Sequence, residues 1–87
     1  MISTFTLKIV TPDETFFEGA VEYVMAPGAK GYLGILAHHA PLVTPVEKGS
    51  LTYRDEHGKT ETLQVVGGFL EVFKNRVLVL TDRVQGS

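Results

Sequence analysis

Apolar and polar positions alternate along this 87-residue chain and never keep a spacing of three and four for three turns. Phe5-Thr6-Leu7-Lys8-Ile9-Val10 opens with the period-two pattern of a half-buried strand, ended by the turn chemistry of Thr11-Pro12-Asp13. Residues 15–19 predict a short second strand that ends on a glycine. Residues 21–26 predict a third, stopped by Pro27-Gly28, which with Ala29-Lys30-Gly31 makes a small exposed loop. In the central stretch Gly31 and Gly34 bracket a short apolar run and free the backbone for close approach. Pro41 then holds Ala40 extended before Leu42-Val43-Thr44 resumes as a strand. Lys48-Gly49 reads as a turn, residues 50–54 as a strand, and residues 55–59 as a hairpin connection with Gly58 at positive φ. Residues 60–66 return, and Gly67-Gly68 break or bulge that strand. Residues 69–73 and 77–80 pair across Lys74-Asn75-Arg76, with Asn75 suited to a left-handed position, and residues 82–87 are polar with nothing to bury. Strands bounded by turn signals every ~8–12 residues predict an all-β fold, a sandwich or barrel.

The alternation fails in the C-terminal half. From Val65 to Phe73 the one charged residue is Glu71, and Val77-Leu78-Val79-Leu80 has no polar position. A sandwich strand with one wet face should alternate, so a continuous apolar run means that both faces are covered. The cover is either a neighbouring segment of the same domain or the surface of a partner.

Composition narrows the chemistry. The length fits one domain, residues 1–83 with a short polar tail over 84–87, and the 44% apolar share is that of an ordinary globular chain. No apolar run approaches the ~20 residues of a membrane span, and no signal-peptide pattern opens the chain. The net charge of −2, with both signs interspersed, argues against a nucleic-acid partner, and the absence of cysteine leaves no thiolate site. His38 and His39 are neighbours on an extended segment, where side chains alternate faces, and His57 lies in a charged hairpin; no metal is implied. Ser3, Ser50 and Ser87 have no base or elbow around them, and Gly31 to Gly34 lacks the Lys-Ser/Thr of a phosphate loop. The residues support binding rather than catalysis, with no cofactor.

Gly31-Tyr32-Leu33-Gly34-Ile35-Leu36 followed by His39-Ala40-Pro41-Leu42 resembles the epsilon subunit of bacterial F-type ATP synthases. Further pieces match that family in order: Val10-Thr11-Pro12 with Phe17 and Gly19, Gly49 before the next strand, Gly67-Gly68-Phe69-Leu70-Glu71-Val72, and Val77, Val79, Leu80 and Asp82 at the end. The resemblance covers nearly the whole chain.

The resemblance implies a two-sheet β-sandwich of roughly ten short strands at the foot of the central rotor stalk, a non-catalytic coupling subunit linking the gamma subunit to the c-ring. Carried over by position, Thr11, His39, Leu42, Thr44 and Val66 lie on the gamma-facing side. Ala29, Lys30, Gly31 and Tyr32, with His38 nearby, form the contact with the polar loops of the c-ring. The other F1 subunits are partners through the complex. The implied location is the cytoplasmic face of the bacterial inner membrane, peripheral and without insertion. Many members carry an acid where this chain has Tyr32, and Pro-Gly where it has Ala37-His38. Members usually continue into a C-terminal helical hairpin associated with inhibition and, in some, with ATP binding. This sequence stops at Ser87, so neither an inhibitory arm nor a nucleotide site is expected within it. The rival readings are a free-standing β-sandwich adaptor and a metal-binding β-domain built on His38, His39 and His57.

Overall fold

A computed structural model describes residues 3–86, and every regular element among them is a strand. In chain order these are β1 (Phe5–Val10), β2 (Thr15–Gly28), β3 (Gly31–Leu36), β4 (Leu42–Asp55), β5 (Thr60–Phe73), β6 (Arg76–Leu80) and β7 (Val84–Gly86). The strands neighbour one another in the order β1-β6-β5-β4-β2-β3, and a further pairing of β1 with β2 closes the ring. β3 hangs on β2 and β7 on β5, outside the ring.

The three long strands, each of 14 residues, change partners midway. β2 pairs with β1 up to Val21 and with β3 from Tyr23 onward, while its pairing with β4 runs from Val21 to Met25 across a register shift. β5 pairs with β6 from Phe69 to Phe73 and with β7 from Leu63 to Val65, and the β4–β5 ladder skips Glu47 and Gly67 between those halves. One layer therefore holds β1, β6 and the adjoining halves of β2, β5 and β4. The other holds β3, β7 and the remaining halves. Counting each half of a long strand separately recovers the roughly ten short strands expected, joined here into seven.

The core lies between the layers. Phe5, Leu7 and Ile9 of β1 alternate inward with Val77 and Val79 of β6, Leu63, Val65, Leu70 and Val72 of β5, and Leu51 and Tyr53 of β4. Phe17 and Tyr53 stack with ring centroids 4.5 Å apart. Burial pushes the Tyr53 phenol above its ordinary value, reinforced by the nearby Glu61 and Asp55 carboxylates, so it stays neutral.

Three readings of the chain are corrected by this architecture. Gly19 and Pro27-Gly28 do not end strands, because β2 runs through both. Pro27 sits opposite Tyr32 at a ladder position that requires no N–H. Gly49 is not a turn either: β4 passes straight through it, and a Cβ there would come within 3.2 Å of the Pro27 side chain. Residues 82–87 do have something to bury. Val84 packs against the core and β7 pairs with Leu63, Gln64 and Val65, while residue 87 lies outside the described residues. The turns expected at Gly58 and Asn75 are present, with φ of +84° and +59°.

Candidate functional site

The outward face of the β4–β5–β6 half-sheet is built from cross-strand rows. Pro45, Phe69 and Leu80 form one row and Val43, Glu71 and Leu78 the next, with Phe73 beside Arg76 beyond them. In-facing partners Leu70, Val72, Val77 and Val79 are buried, so alternation turns this second apolar set toward solvent. Val43 is 66% exposed, Phe69 56%, Phe73 54% and Leu80 46%. The run that failed to alternate is thus covered by the domain on one side and by nothing within the described residues on the other. Such a patch on a small β-domain marks an interaction surface.

Its charges are few and peripheral except for one. Glu71 stands in the middle with Phe69 and Phe73 along its own strand, and no cation lies within ion-pair distance among the described residues. Lys8 faces Leu78 from β1, and the Lys74 ammonium stands over the Phe73 ring, 5.3 Å from its centroid. Shallow hollows flank the patch, one between Pro41, Val43 and Phe73, another where Thr11 and Pro12 meet Phe69 and Leu80.

The residues placed on the gamma side by resemblance do not form one cluster. Thr11, in the β1–β2 turn, borders the patch beside Phe69 and Leu80. Val66 is exposed on β5, just before the bend. Leu42 packs against the core, and the half-buried Thr44 has the same parity, so the outward positions of β4 are the intervening Val43 and Pro45. His39 is half-buried in the β3–β4 loop and its Nδ1 donates to the Ala40 carbonyl at 2.7 Å, which leaves Nε2 as the acceptor in the neutral ring. Phe69, Phe73, Val43 and Leu80 are the members that carry the patch.

The residues placed on the ring side divide as well. Ala29 and Lys30 are the exposed tip of the two-residue β2–β3 turn, followed by exposed Gly31 and Tyr32, and Thr44 shares their hollow. His38 is not near them. It lies past the far end of β3, roughly 20 Å along the strand at ~3.3 Å per residue. Its backbone adopts φ +64°, and its N–H donates to Asn75 Oδ1 at 2.7 Å. Asn75 Nδ2 donates in turn to the Thr4 carbonyl at 3.0 Å, so one side chain ties the β3–β4 loop to the start of the chain.

No three His, Cys, Asp or Glu side chains among the described residues are grouped so that they could hold a metal ion. His57 is exposed and pairs loosely with Glu56 at 3.8 Å, far in sequence from His38 and His39. Among the described residues no helix is long and apolar enough to cross a membrane.

A family model described as the ATP synthase Delta/Epsilon chain, beta-sandwich domain, matches residues 4–86. The ATP synthase epsilon chain of Desulforamulus reducens is 45% identical over 85 residues, 98% of this chain and 64% of that protein. That of Moorella thermoacetica is 38% identical over 86 residues, again 64% of its length, so the chain spans less than two thirds of these relatives. For the epsilon chain of Chlorobaculum tepidum the identity is 40% over 80 residues, covering 92% of this chain and 91% of that one. Among solved structures, a chain of the Euglena gracilis mitochondrial ATP synthase (OSCP/F1/c-ring) superposes with a TM-score of 0.90 at 25% identity, over 95% of this chain and 53% of that chain. A chain of the Tetrahymena thermophila central stalk/c-ring structure gives 0.79 at 16% identity, over 93% and 65%, and supports the fold alone.

Proposed function

This chain belongs to the ATP synthase delta/epsilon family of β-sandwich domains, and on that premise we propose that it is a non-catalytic rotor subunit of an ion-translocating F-type ATP synthase. It links the gamma subunit to the c-ring and so couples ion flow to ATP synthesis, and it works peripherally at the cytoplasmic face of the bacterial inner membrane. The observation that carries this reading is the uncovered apolar face of β4, β5 and β6 on a domain whose other side is already its core. That face is the gamma-docking surface. Phe69, Leu80, Val43 and Phe73 supply its area, with Thr11 at its margin and Leu42 and His39 behind it. Val66 lies on the other half of β5 and Thr44 beside the turn of residues 29–32. Burying such aromatic side chains in a partner supplies most of the binding energy in interfaces of this type.

The c-ring contact is the Ala29-Lys30-Gly31-Tyr32 turn. It is exposed, carries one cation, and presents Tyr32 where an acid would otherwise meet a basic ring loop. Tyr32 contributes apolar area and one hydroxyl instead of a charge. His38 belongs to the opposite end of β3 and acts through the gamma side or through the loop it anchors.

Co-expression with the gamma subunit from the same source, followed by size-exclusion chromatography, tests this. A one-to-one complex is expected. Phe69→Asp, which would bury an unpaired carboxylate, should weaken it at least tenfold, about 1.4 kcal/mol or more, with the isolated domain still folded. Wild-type affinity in both Phe69→Asp and Leu80→Asp would overturn the face assignment.

A further inference from the structure

β3 is an edge strand whose outer side pairs with nothing among the described residues. Which of its backbone groups face outward follows from one residue. Pro27 has no N–H, so the Pro27–Tyr32 pair cannot be one that exchanges two hydrogen bonds. Alternation along the ladder then makes Gly28–Gly31, Ala26–Leu33 and Val24–Ile35 the bonded pairs. The N–H and C=O groups of Tyr32, Gly34 and Leu36 therefore point away from β2, into solvent.

This edge lacks the protection that the other open edges have. The first half of β4 has Pro45 within it and Pro41 before it, the first half of β2 carries Glu18, and β7 is three residues long. β3 has no charge, no proline and no shift in register. An edge so left is a template for another strand. Its solvent face is also shaped for one. Tyr32 and Leu36 are 62% and 66% exposed, and between them Gly34 leaves open space where a Cβ would stand. Met25, across the ladder from Gly34, is exposed and forms the third wall of that hollow.

We propose that β3 receives an extended segment of another polypeptide as an added strand. Its backbone bonds to Tyr32, Gly34 and Leu36, and a bulky apolar side chain fills the hollow over Gly34. A bare glycine on an exposed sheet face is best covered by a large cross-strand residue, which gives the partner its recognisable chemistry. A second copy of this chain is the wrong occupant. Antiparallel self-pairing that uses all three outward residues sets Gly34 against Gly34 and leaves the hollow empty. The inference goes beyond gamma docking on the β4–β5–β6 face and does not depend on it.

The probe is a capped peptide, Thr-Val-Thr-Phe-Thr-Val-Thr, with a matched control carrying proline in place of phenylalanine. Amide hydrogen exchange of the full chain is read by NMR as peptide is added. In the free chain the Tyr32, Gly34 and Leu36 amides should exchange fast while Leu33 and Ile35 are protected. The phenylalanine peptide should slow those three amides at least about tenfold and the proline control should not. Gly34→Pro, which removes one outward donor and spares the β2 ladder, should abolish the slowing, and so should Leu36→Lys. Unchanged exchange, slowing confined to Phe69 and Leu80, or protection that grows with the concentration of the chain alone would each overturn the proposal.

Discussion

Gly68→Ala tests whether the bend of β5 is as constrained as the geometry requires. Gly68 has φ +135° and lies opposite Val46 on β4, immediately before the residues that pair with β6. A Cβ at this position would overlap the Leu80 carbonyl oxygen and would stand 2.9 Å from the Leu80 carbonyl carbon and 3.0 Å from the Thr81 Cα. All three are backbone atoms, so no rotamer change relieves the clash. β6 must draw away from β5, at the cost of the Phe69–Leu80 end of the ladder. Backbone strain contributes about 1–2 kcal/mol and two weakened ladder bonds about 0.5–1.5 kcal/mol each, roughly 2–5 kcal/mol together. A domain of this size has about 4–13 kcal/mol of stability in total, so the variant should be marginal. Urea unfolding followed by circular dichroism should show the midpoint falling by about 1–5 M, for a slope near 1–1.5 kcal/mol per M. Gly34→Ala is the control: it has open space around the new methyl group and should change stability by less than about 1 kcal/mol, toward gain. A Gly68→Ala midpoint within about 0.5 M of wild type, at unchanged slope, would refute the reasoning.

The Asn75 side chain makes two long-range hydrogen bonds within the chain and its backbone is left-handed, so Asn75→Gly should cost about 1–2 kcal/mol and Asn75→Ala about 1 kcal/mol more, in that order by thermal melting. Equal losses would mean that backbone conformation plays no part. The Asp55 carboxylate is held below its ordinary value by the Lys59 backbone N–H, then by that of His57. A depressed carboxylate stabilises the fold above its unfolded value and loses that contribution as pH falls through the folded one. Asp55→Asn should accordingly flatten the acid limb of melting temperature against pH below about 4, with little change in slope near neutrality.

Much of this fold could be read from alternation, because a strand whose neighbours are stable keeps its period. β1 appears in the sequence with the bounds it has in the structure, and the turns at Gly58 and Asn75 carry residues suited to positive φ. The misread places share a cause. At Gly19, at Pro27 and at Gly49 a long strand changes partner, bends or packs closely, and each event leaves the same local composition as a turn. β7 was hidden because one apolar residue, Val84, is too little pattern to see. For the candidate site, the run from Val65 to Leu80 revealed that a second face was apolar, but not which residues form it, since both parities are apolar there. On β4 a shift of one position decides the matter: Leu42 turns to the core and Val43 to solvent. His38 and the Ala29-Lys30 tip are close in sequence, yet an intervening strand carries them to opposite ends.

The pairing pattern bears on how such a domain could transmit torque rather than merely adhere. Phe69 on the proposed gamma face is laddered to Pro45 of β4. β4 continues without interruption to Thr52, which pairs with Met25 of β2, and β2 runs directly into the Ala29-Lys30 tip. A load applied at the apolar face therefore reaches the proposed ring contact through covalent chain and backbone hydrogen bonds, without crossing a joint that side-chain packing alone must hold. Because the ring of strands is closed, shearing one layer past the other also requires the ladders of β2, β4 and β5 to break together. Two packed sheets without shared strands would offer only their side-chain interface to resist the same motion. The glycines at the β5 bend let that strand serve both layers, which is why loss of Gly68 should reduce stiffness and stability together.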